Sequence, residues 1–471
     1  MRLIENRTAR GIYLVLVLFT LLAGDAWRYT IGWAGWAVLV GLMAAASVTL
    51  LIVQRHRWTI KSFPFPLLAF LVLTALSIAW SFYPGASALG VTTTWFTIVA
   101  GVTIAVTYSW TEILRALGVA LRFVLGLSLL FELVVSTIIR HPVLPPVAEP
   151  GIDYSNLPNP IPPMLFWSRN ELFVSGKIQG IVGNSTLLSF VALVGIIVFG
   201  IQLFEKTRRK PAIIFWLAVA ALCFVLTRSA TNFIGFVAVA VVVVAVLLVR
   251  RAASPQARRF TYGGIVVVML AAVVGALVFS KEVLAFLGKS SDLTNRAEIW
   301  HSVIQLAAQR PVFGWGWVSY WVPWVAPFDH LAENNGVRQL HAHNAWLDVW
   351  FQLGIIGLVV FGALVLSALS RSWWFAVDRP RLSARTFGTF ATESLLPLLV
   401  LVALLVQSLA ESRLLVEFGM LFLAVTAAKT KRDEWEARAS TFARYRGGWR
   451  SRFSSKNENR PEPILESSEP R

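Results

Sequence analysis

Acidic charge and cysteine are what this chain has least of. Only 25 of its 471 residues are Asp or Glu, and its one cysteine, Cys223, stands in the middle of an apolar run. A single thiol forms no internal disulfide and no cysteine-based metal cluster, so Cys223 reads as a buried, inert side chain. Charged residues of both signs make up 14%, against about 25% in an ordinary soluble domain. That is too few to cover a water-facing surface. Six histidines are scattered along the chain without metal-ligand spacing, apart from His341 and His343. No internal repeat is visible, and the composition excludes a disordered, collagen-like or disulfide-stapled chain.

What fills the chain instead is apolar. Hydrophobic residues reach 56%, with a mean hydropathy of +0.66. Apolar windows recur near residues 11–27, 31–53, 64–82, 86–108, 118–139, 183–204, 212–226, 231–249, 262–281, 344–370, 390–410 and 413–428. Each is close to the roughly 20 residues that cross a bilayer as a helix. The expected fold is all-α, a polytopic integral membrane bundle of about twelve transmembrane helices with a large helical outer loop. One membrane domain, 1–428, carries two long outer loops, 140–177 and 282–343. A basic tail, 429–471, is expected to be a disordered extension that only fixes topology, the other reading being a tail lying on anionic lipid. The first window is expected to stay as an anchor, because Asp25 falls inside the would-be signal cleavage site.

Net charge is +17, a value that in a soluble protein points to nucleic acid. Here the basic residues form short clusters between apolar runs, so no nucleic-acid partner is expected and the lipid bilayer accounts for them. With a cytoplasmic amino terminus, the inside loops hold Arg55, Arg57 and Lys61, then Lys206 to Lys210, Arg250 to Arg259, and Arg371 to Arg385. Those loops contain fifteen Lys or Arg and two acids, Glu205 and Asp378, whereas the outside segment 281–343 balances five against five. The positive-inside rule therefore supports an even span count with both termini cytoplasmic.

Ionisable groups where spans meet the outside carry the functional expectation. Arg228 sits in a very short link, where it either snorkels to headgroups or grips an anion with its planar fork. Arg296 falls in an expected helix, Thr294–Arg310, ended by Pro311. It pairs locally with Asp292 or Glu298, or it faces phosphate at a helix start capped by Thr294 or Asn295. His343 opens a span, followed by Asn344. A near-neutral imidazole there suits proton abstraction from a hydroxyl, and the plainer reading is a hydrogen-bonded interfacial histidine. His341 and His343, two residues apart, do not face one direction on a helix, so no metal site is expected. Gly354, eleven residues on, lies on nearly the same helical face, and with Gly357 would let a neighbouring helix approach closely. Glu411 and Arg413 occupy a tight outside turn, pairing with each other or with another loop, or helping to position the acceptor. The tryptophans of 315–324 form an interfacial belt, a sugar-stacking surface or a lid.

This ordered set resembles the O-antigen ligase family. His343-Asn344, nine residues, Gly354, two residues and Gly357 are similar to its histidine–asparagine…glycine-x-x-glycine motif. Arg296…Trp300…Arg310-Pro311-Val312-Phe313-Gly314-Trp315-Gly316 resembles the stretch leading into that family's large outer loop. Thr227-Arg228-Ser229 resembles its other arginine site, and Gly180-Ile181-Val182-Gly183-Asn184 its glycine–asparagine segment. The likeness covers roughly 170–428, and the loop 140–177 and the basic tail lie outside it.

The resemblance implies a metal-independent transferase without cofactors in a bacterial cytoplasmic membrane. Such a protein moves a saccharide from an undecaprenyl-diphosphate-linked donor to a hydroxyl of a glycan, lipid or protein acceptor. By position, Arg228 and Arg296 would hold the donor diphosphate and His343 would activate the acceptor. Asn344, Gly354, Gly357, Glu411 and Arg413 would support them. Two other classes predict different features. A secondary transporter calls for mid-membrane sites and repeated halves, and a non-catalytic scaffold of polysaccharide assembly would tolerate loss of His343.

Overall fold

The computed structural model describes residues 6–150, 152–174, 176–205, 210–278, 290–334, 337–378 and 388–457. Among them are thirteen α-helices, and twelve coincide with the twelve apolar windows. In chain order they are α1 (Arg7–Leu22), α2 (Gly24–Val53), α3 (Phe65–Leu76), α4 (Pro84–Thr107), α5 (Trp110–Val134), α6 (Ser185–Leu203), α7 (Lys210–Thr227), α8 (Ala230–Arg251) and α9 (Pro255–Val278), then α10 (Ser290–Gln309) in the outer loop, and α11 (Ala345–Val377), α12 (Leu395–Ser408) and α13 (Glu417–Asn457). Seven of these are long and apolar enough to cross a membrane unaided, and two shorter apolar helices accompany them. The chain is an all-α multi-pass membrane protein. Its strands among the described residues are two residues each, β1 (Glu333–Asn334) pairing antiparallel with β2 (Val337–Arg338).

Capping chemistry sets several of the helix starts. Ser109 and Glu112 form a reciprocal capping box at α5, while Asn184 and Asn344 each accept two backbone N–H groups at the starts of α6 and α11. Those bonds satisfy donors that a helix leaves open at its amino end. Asn344 is thus a helix cap, which fixes the direction in which the preceding His343 leaves the span. Packing then joins α6 to α7, α4 to α13, α8 to α12 and α1 to α5, and α6 and the first turns of α13 are the most enclosed.

The links between helices sort into two sets. Phe82 N–H donates to Trp315 O, Val147 N–H to Tyr29 O, and Ile178 N–H to Leu226 O. Asn344 Nδ2 donates to Leu409 O. With the Arg413–Asp25 pair, those bonds bring together the links after α3, α5, α10 and α12, the first turns of α2 and the last turn of α7. At the other end, Gln54 bonds Thr107, Thr111 bonds Glu393, Arg250 bonds Ser394 and Arg258 bonds Asp378. The grouping is the alternation that successive spans require.

Several expectations need correction. The first window splits: α1 ends at Leu22, and Asp25 belongs to α2, which is itself broken at Gly32. The outer helix starts at Ser290, so Thr294 and Asn295 lie inside it and not at its amino end. The last span begins at Glu417, after a turn at Arg413–Leu415. Its helix continues to Asn457, well into the basic segment expected to be irregular, and residues 458–471 lie outside the described residues. Of the loop tryptophans, Trp317 and Trp321 are core, 0% and 1% exposed, and belong neither to a belt nor to a stacking surface. Trp324, at 67%, is exposed.

The glycines of α11 work differently from expectation. Gly354 has φ +65° and ψ −164°, a break in the helix in a region open essentially to glycine alone. What approaches there is a loop and not a helix: Ile355 N–H donates to Pro311 O (2.8 Å), Trp315 N–H to Phe351 O (3.0 Å) and Gly316 N–H to Gln352 O (2.9 Å). A Cβ on Gly354 would overlap the Val312 carbonyl, and one on Gly357 would overlap the helix's own Leu353. The break also voids the projection of Gly354 onto the face of His343. Gly354→Ala should therefore destabilise by at least the ~1–3 kcal/mol of a forbidden backbone conformation, with the overlap adding to it. Thermal melting in detergent against wild type measures it, and an unchanged midpoint would refute the assignment.

Candidate active site

Three segments bring their side chains to one point. The turn before α11 carries His341 and His343, the link after α12 carries Glu411, and α10 carries Arg296. Glu411 divides its two oxygens: Oε1 accepts from Arg296 Nη2 at 3.1 Å, and Oε2 lies 3.2 Å from His343 Nδ1 and 4.0 Å from His341 Nε2. Glu411 and Arg413 do not pair with each other, because Arg413 turns to Glu417 at 2.6 Å and to Asp25 at 3.8 Å. Arg296 finds its counter-ion across the fold in Glu411, a partner local sequence did not offer.

His343 is held in a left-handed backbone conformation, φ +49°, unusual for a residue with a Cβ and typical of functional sites. Two bonds hold that turn. Ala342 N–H donates to Asp348 Oδ2 (3.0 Å), and Trp300 Nε1 of α10 donates to Ala342 O (2.9 Å). Ser412 O–H also donates to Asp348 Oδ2. Asp348, buried in the first turn of α11, therefore ties the His343 turn to the link that carries Glu411. Its bonds go to the turn and the link, which makes it a positioning residue.

The tautomers follow from these partners. His343 N–H donates to His341 Nδ1 (3.0 Å), so the proton of a neutral His341 sits on Nε2, the nitrogen facing Glu411. Burial, and then the neighbouring His343, push the His341 pKa well below 6.5, with Glu411 opposing. Burial alone would raise the Glu411 carboxyl, but the charge and hydrogen bond of His343, with His341 and Arg296, hold it down to about 2. Glu411 is thus a fixed anion that orients the His343 ring through Nδ1. On the other side of the ring, Nε2 faces Gln339 Oε1 at 2.9 Å. A turned-over Gln339 amide would offer N–H to the neutral ring, so one side chain serves both protonation states, and it stands where an incoming hydroxyl would have to bind.

His341, His343 and Glu411 also offer ligand atoms within 4.8 Å of one another, the two-histidine, one-carboxylate donor set of divalent cation sites. The pairing of two histidines set aside from helical spacing arises because both precede α11, in a turn.

Arg228 belongs to a different part of the same end. It is exposed, also at positive φ (+47°), in the link between α7 and α8. That link is anchored on the Gly180–Asn184 turn: Ile178 N–H donates to Leu226 O, and Asn232 Nδ2 to Thr186 O at 2.8 Å. The turn is in turn fixed by Glu132 of α5, which accepts from Gln179 N–H, Gly180 N–H and Ser168 O–H at 2.7–2.8 Å.

Residues 213–362 match the family described as O-antigen ligase. The matched segment contains Arg228, Arg296, His343, Asn344, Gly354 and Gly357, and ends before Glu411. Among curated proteins, the exopolysaccharide production protein ExoQ of Rhizobium meliloti is 26% identical over 159 residues, 32% of this chain and 35% of that protein. A protein of Rickettsia conorii named as a polysaccharide ligase is 31% identical over 91 residues, 18% of this chain and 22% of its own. The chain thus spans about a third and a fifth of the curated relatives it matches. The resemblance read from the motifs is borne out.

Proposed function

From the premise that residues 213–362 carry an O-antigen ligase family domain, we propose that the protein transfers a lipid-linked saccharide to an acceptor hydroxyl at the outer face of a bacterial cytoplasmic membrane. The observation that carries the reading is the His343–Glu411–Arg296 cluster, built from three separate segments at one end of the bundle. Among the described residues Arg250 and Arg258 lie at the opposite end, and the positive-inside rule supports an outside position for the cluster with both termini cytoplasmic.

In this reading the acceptor hydroxyl replaces Gln339 at Nε2 of neutral His343. The ring takes the proton as the oxygen attacks the anomeric carbon, and Glu411 stabilises the imidazolium that forms. The glycosidic bond to the diphosphate breaks with its electron pair, and the prenyl diphosphate departs. Arg296 has one N–H engaged by Glu411, which leaves further donors for the diphosphate oxygens. Arg228 supplies the second fork from its exposed link, as the family pattern implies. Preorganised cations lower the barrier by meeting charge as it develops. No metal ion is required for this route, and transfer that survives chelation by EDTA would support it.

Arg228→Lys and Arg296→Lys should each lower transfer about tenfold or more, because an ammonium keeps the charge and loses the bidentate fork. Glycan output at unchanged protein level reads the effect, and wild-type output from both would return these arginines to headgroup and salt-bridge roles. Deletion of the gene tests the function as a whole through the lipid-linked intermediate that accumulates. Long polymer left on the carrier identifies a ligase, single repeat units identify a polymerase, and neither refutes the transferase.

A further inference from the structure

A second charged cluster at the same end takes no part in the chemistry above. Arg28 of α2 bonds Asp25 and Glu417, and Arg413 pairs with Glu417 and Asp25, so two guanidiniums and two carboxylates alternate in a closed ring. Glu149, from the Pro-rich outer loop, adds a third carboxylate and accepts from Tyr29 O–H at 3.2 Å. Burying ion pairs contributes little net stability against apolar packing, and ionisable groups at membrane depth mark function by default.

The cluster forms one wall of a cavity of about 290 Å³, near the lower size limit for small-ligand pockets, about 300 Å³. Trp33 and Trp36 line it, each with its ring about 5 Å from the Arg28 guanidinium. The segment Val318–Trp324 also lines it, seated against α4 where Gly90 leaves no Cβ in the way of the Val318 backbone. Gln352, at the break in α11, fixes that segment by accepting from Val318 and Ser319 N–H at 2.9 and 3.0 Å. The cavity adjoins the candidate active site: the ring of its lining residue Tyr320 lies 5.5 Å from that of His341, tilted by 50°, and the His341 ring is 4.0 Å from that of His343.

Charge selects the occupant. Three carboxylates face two guanidiniums, so the cavity has no uncompensated positive charge for a diphosphate, and the donor's headgroup is excluded. What remains is a mostly apolar, aromatic lining with a cluster of donors and acceptors of both kinds. A sugar ring has that division, with C–H faces for indole rings and hydroxyls that both donate to carboxylates and accept from guanidinium. A bare hydrocarbon chain would leave the charged wall unused.

We propose that this cavity binds an uncharged saccharide unit of the acceptor, with Trp33 and Trp36 as stacking faces and Asp25, Arg28, Glu149 and Glu417 as hydroxyl partners. The site rests on the transferase reading for the word acceptor, and its test separates the two. Full-length protein carrying His343→Ala, which blocks turnover, is dialysed against radiolabelled neutral saccharides released by mild acid from both the surface glycan and the lipid-linked pool of source cells lacking the gene. Binding should persist in this background, fall about five- to tenfold on adding Trp33→Ala or Trp36→Ala, and recover with Trp33→Phe. With His343 intact, Trp33→Ala should raise the acceptor KM by a similar factor and leave kcat and the donor KM unchanged, a split that misfolding would not produce. Absence of saccharide binding, binding indifferent to both tryptophans, or displacement of the saccharide by a farnesyl chain would overturn the proposal. Trp-dependent binding together with full glycan output from His343→Ala would keep the cavity and remove the transferase assignment.

Discussion

His343→Ala is expected to reduce glycan transfer by about 10²–10⁴-fold, the range a positioned general base contributes, while leaving protein level and topology as they are. The ring is half-buried and makes its two side-chain bonds to Glu411 and Gln339, so its loss removes no large core contact. The turn is held by the Ala342 backbone and Asp348, which alanine preserves. Surface glycan in a deletion strain complemented with the variant reads the outcome, with immunoblotting of membranes as control. Full output would remove the imidazole from the chemistry and favour a scaffold role.

The second large effect is expected at Glu411. Glu411→Gln keeps the shape but leaves the mostly buried Arg296 guanidinium without its counter-ion and His343 without the anion that orients it. Breaking a buried pair from one side costs about 3–5 kcal/mol, and loss of the carboxylate behind a catalytic imidazole costs up to about 10⁴-fold in rate. A double-mutant cycle with Arg296→Gln isolates the pair, and additive losses in stability would mean the two do not interact.

The same cluster predicts a pH dependence. Glu411, held at about 2 against an ordinary 4.5, supplies stability that is complete above 4.5 and lost as pH falls toward 2. His341, kept neutral by burial, gains a proton on unfolding once pH drops below 6.5, so its contribution also declines on acidification. The melting temperature should therefore fall with pH in two stages, gently below 6.5 and more steeply below 4.5. A melting temperature that rises on acidification would contradict both assignments.

Much of this was readable from the chain. Apolar windows located the helices, charge alternation sorted the links, and the spacing around His343-Asn344 led to the turn and its cap. Other features left weaker signals. Asp348 and Asp25 are charges inside apolar windows, and Arg28 stands between two of them, a known flag, but without tertiary contacts nothing tells a positioning carboxylate from a helix-end one. Gln339 carries no sequence mark at all, since a glutamine in a polar loop is unremarkable until its neighbours are known. The Glu411–Arg296 pair joins residues 115 apart in sequence, and local reasoning offered nearer partners for both. The error at Gly354 came from assuming an unbroken helix, because hydrophobic periodicity does not register a single residue that leaves the helical region.

That break has a practical corollary for engineering. The carbonyls of Phe351 and Gln352 find their donors in Trp315 and Gly316, so a piece of the extramembrane segment is stitched into the ladder of a spanning element. Grafting the segment from a homologue to change acceptor preference would unstitch it unless the matching half of α11 travels along. Functional chimeras should therefore have their junctions outside 310–357, with the two parts exchanged as one cassette.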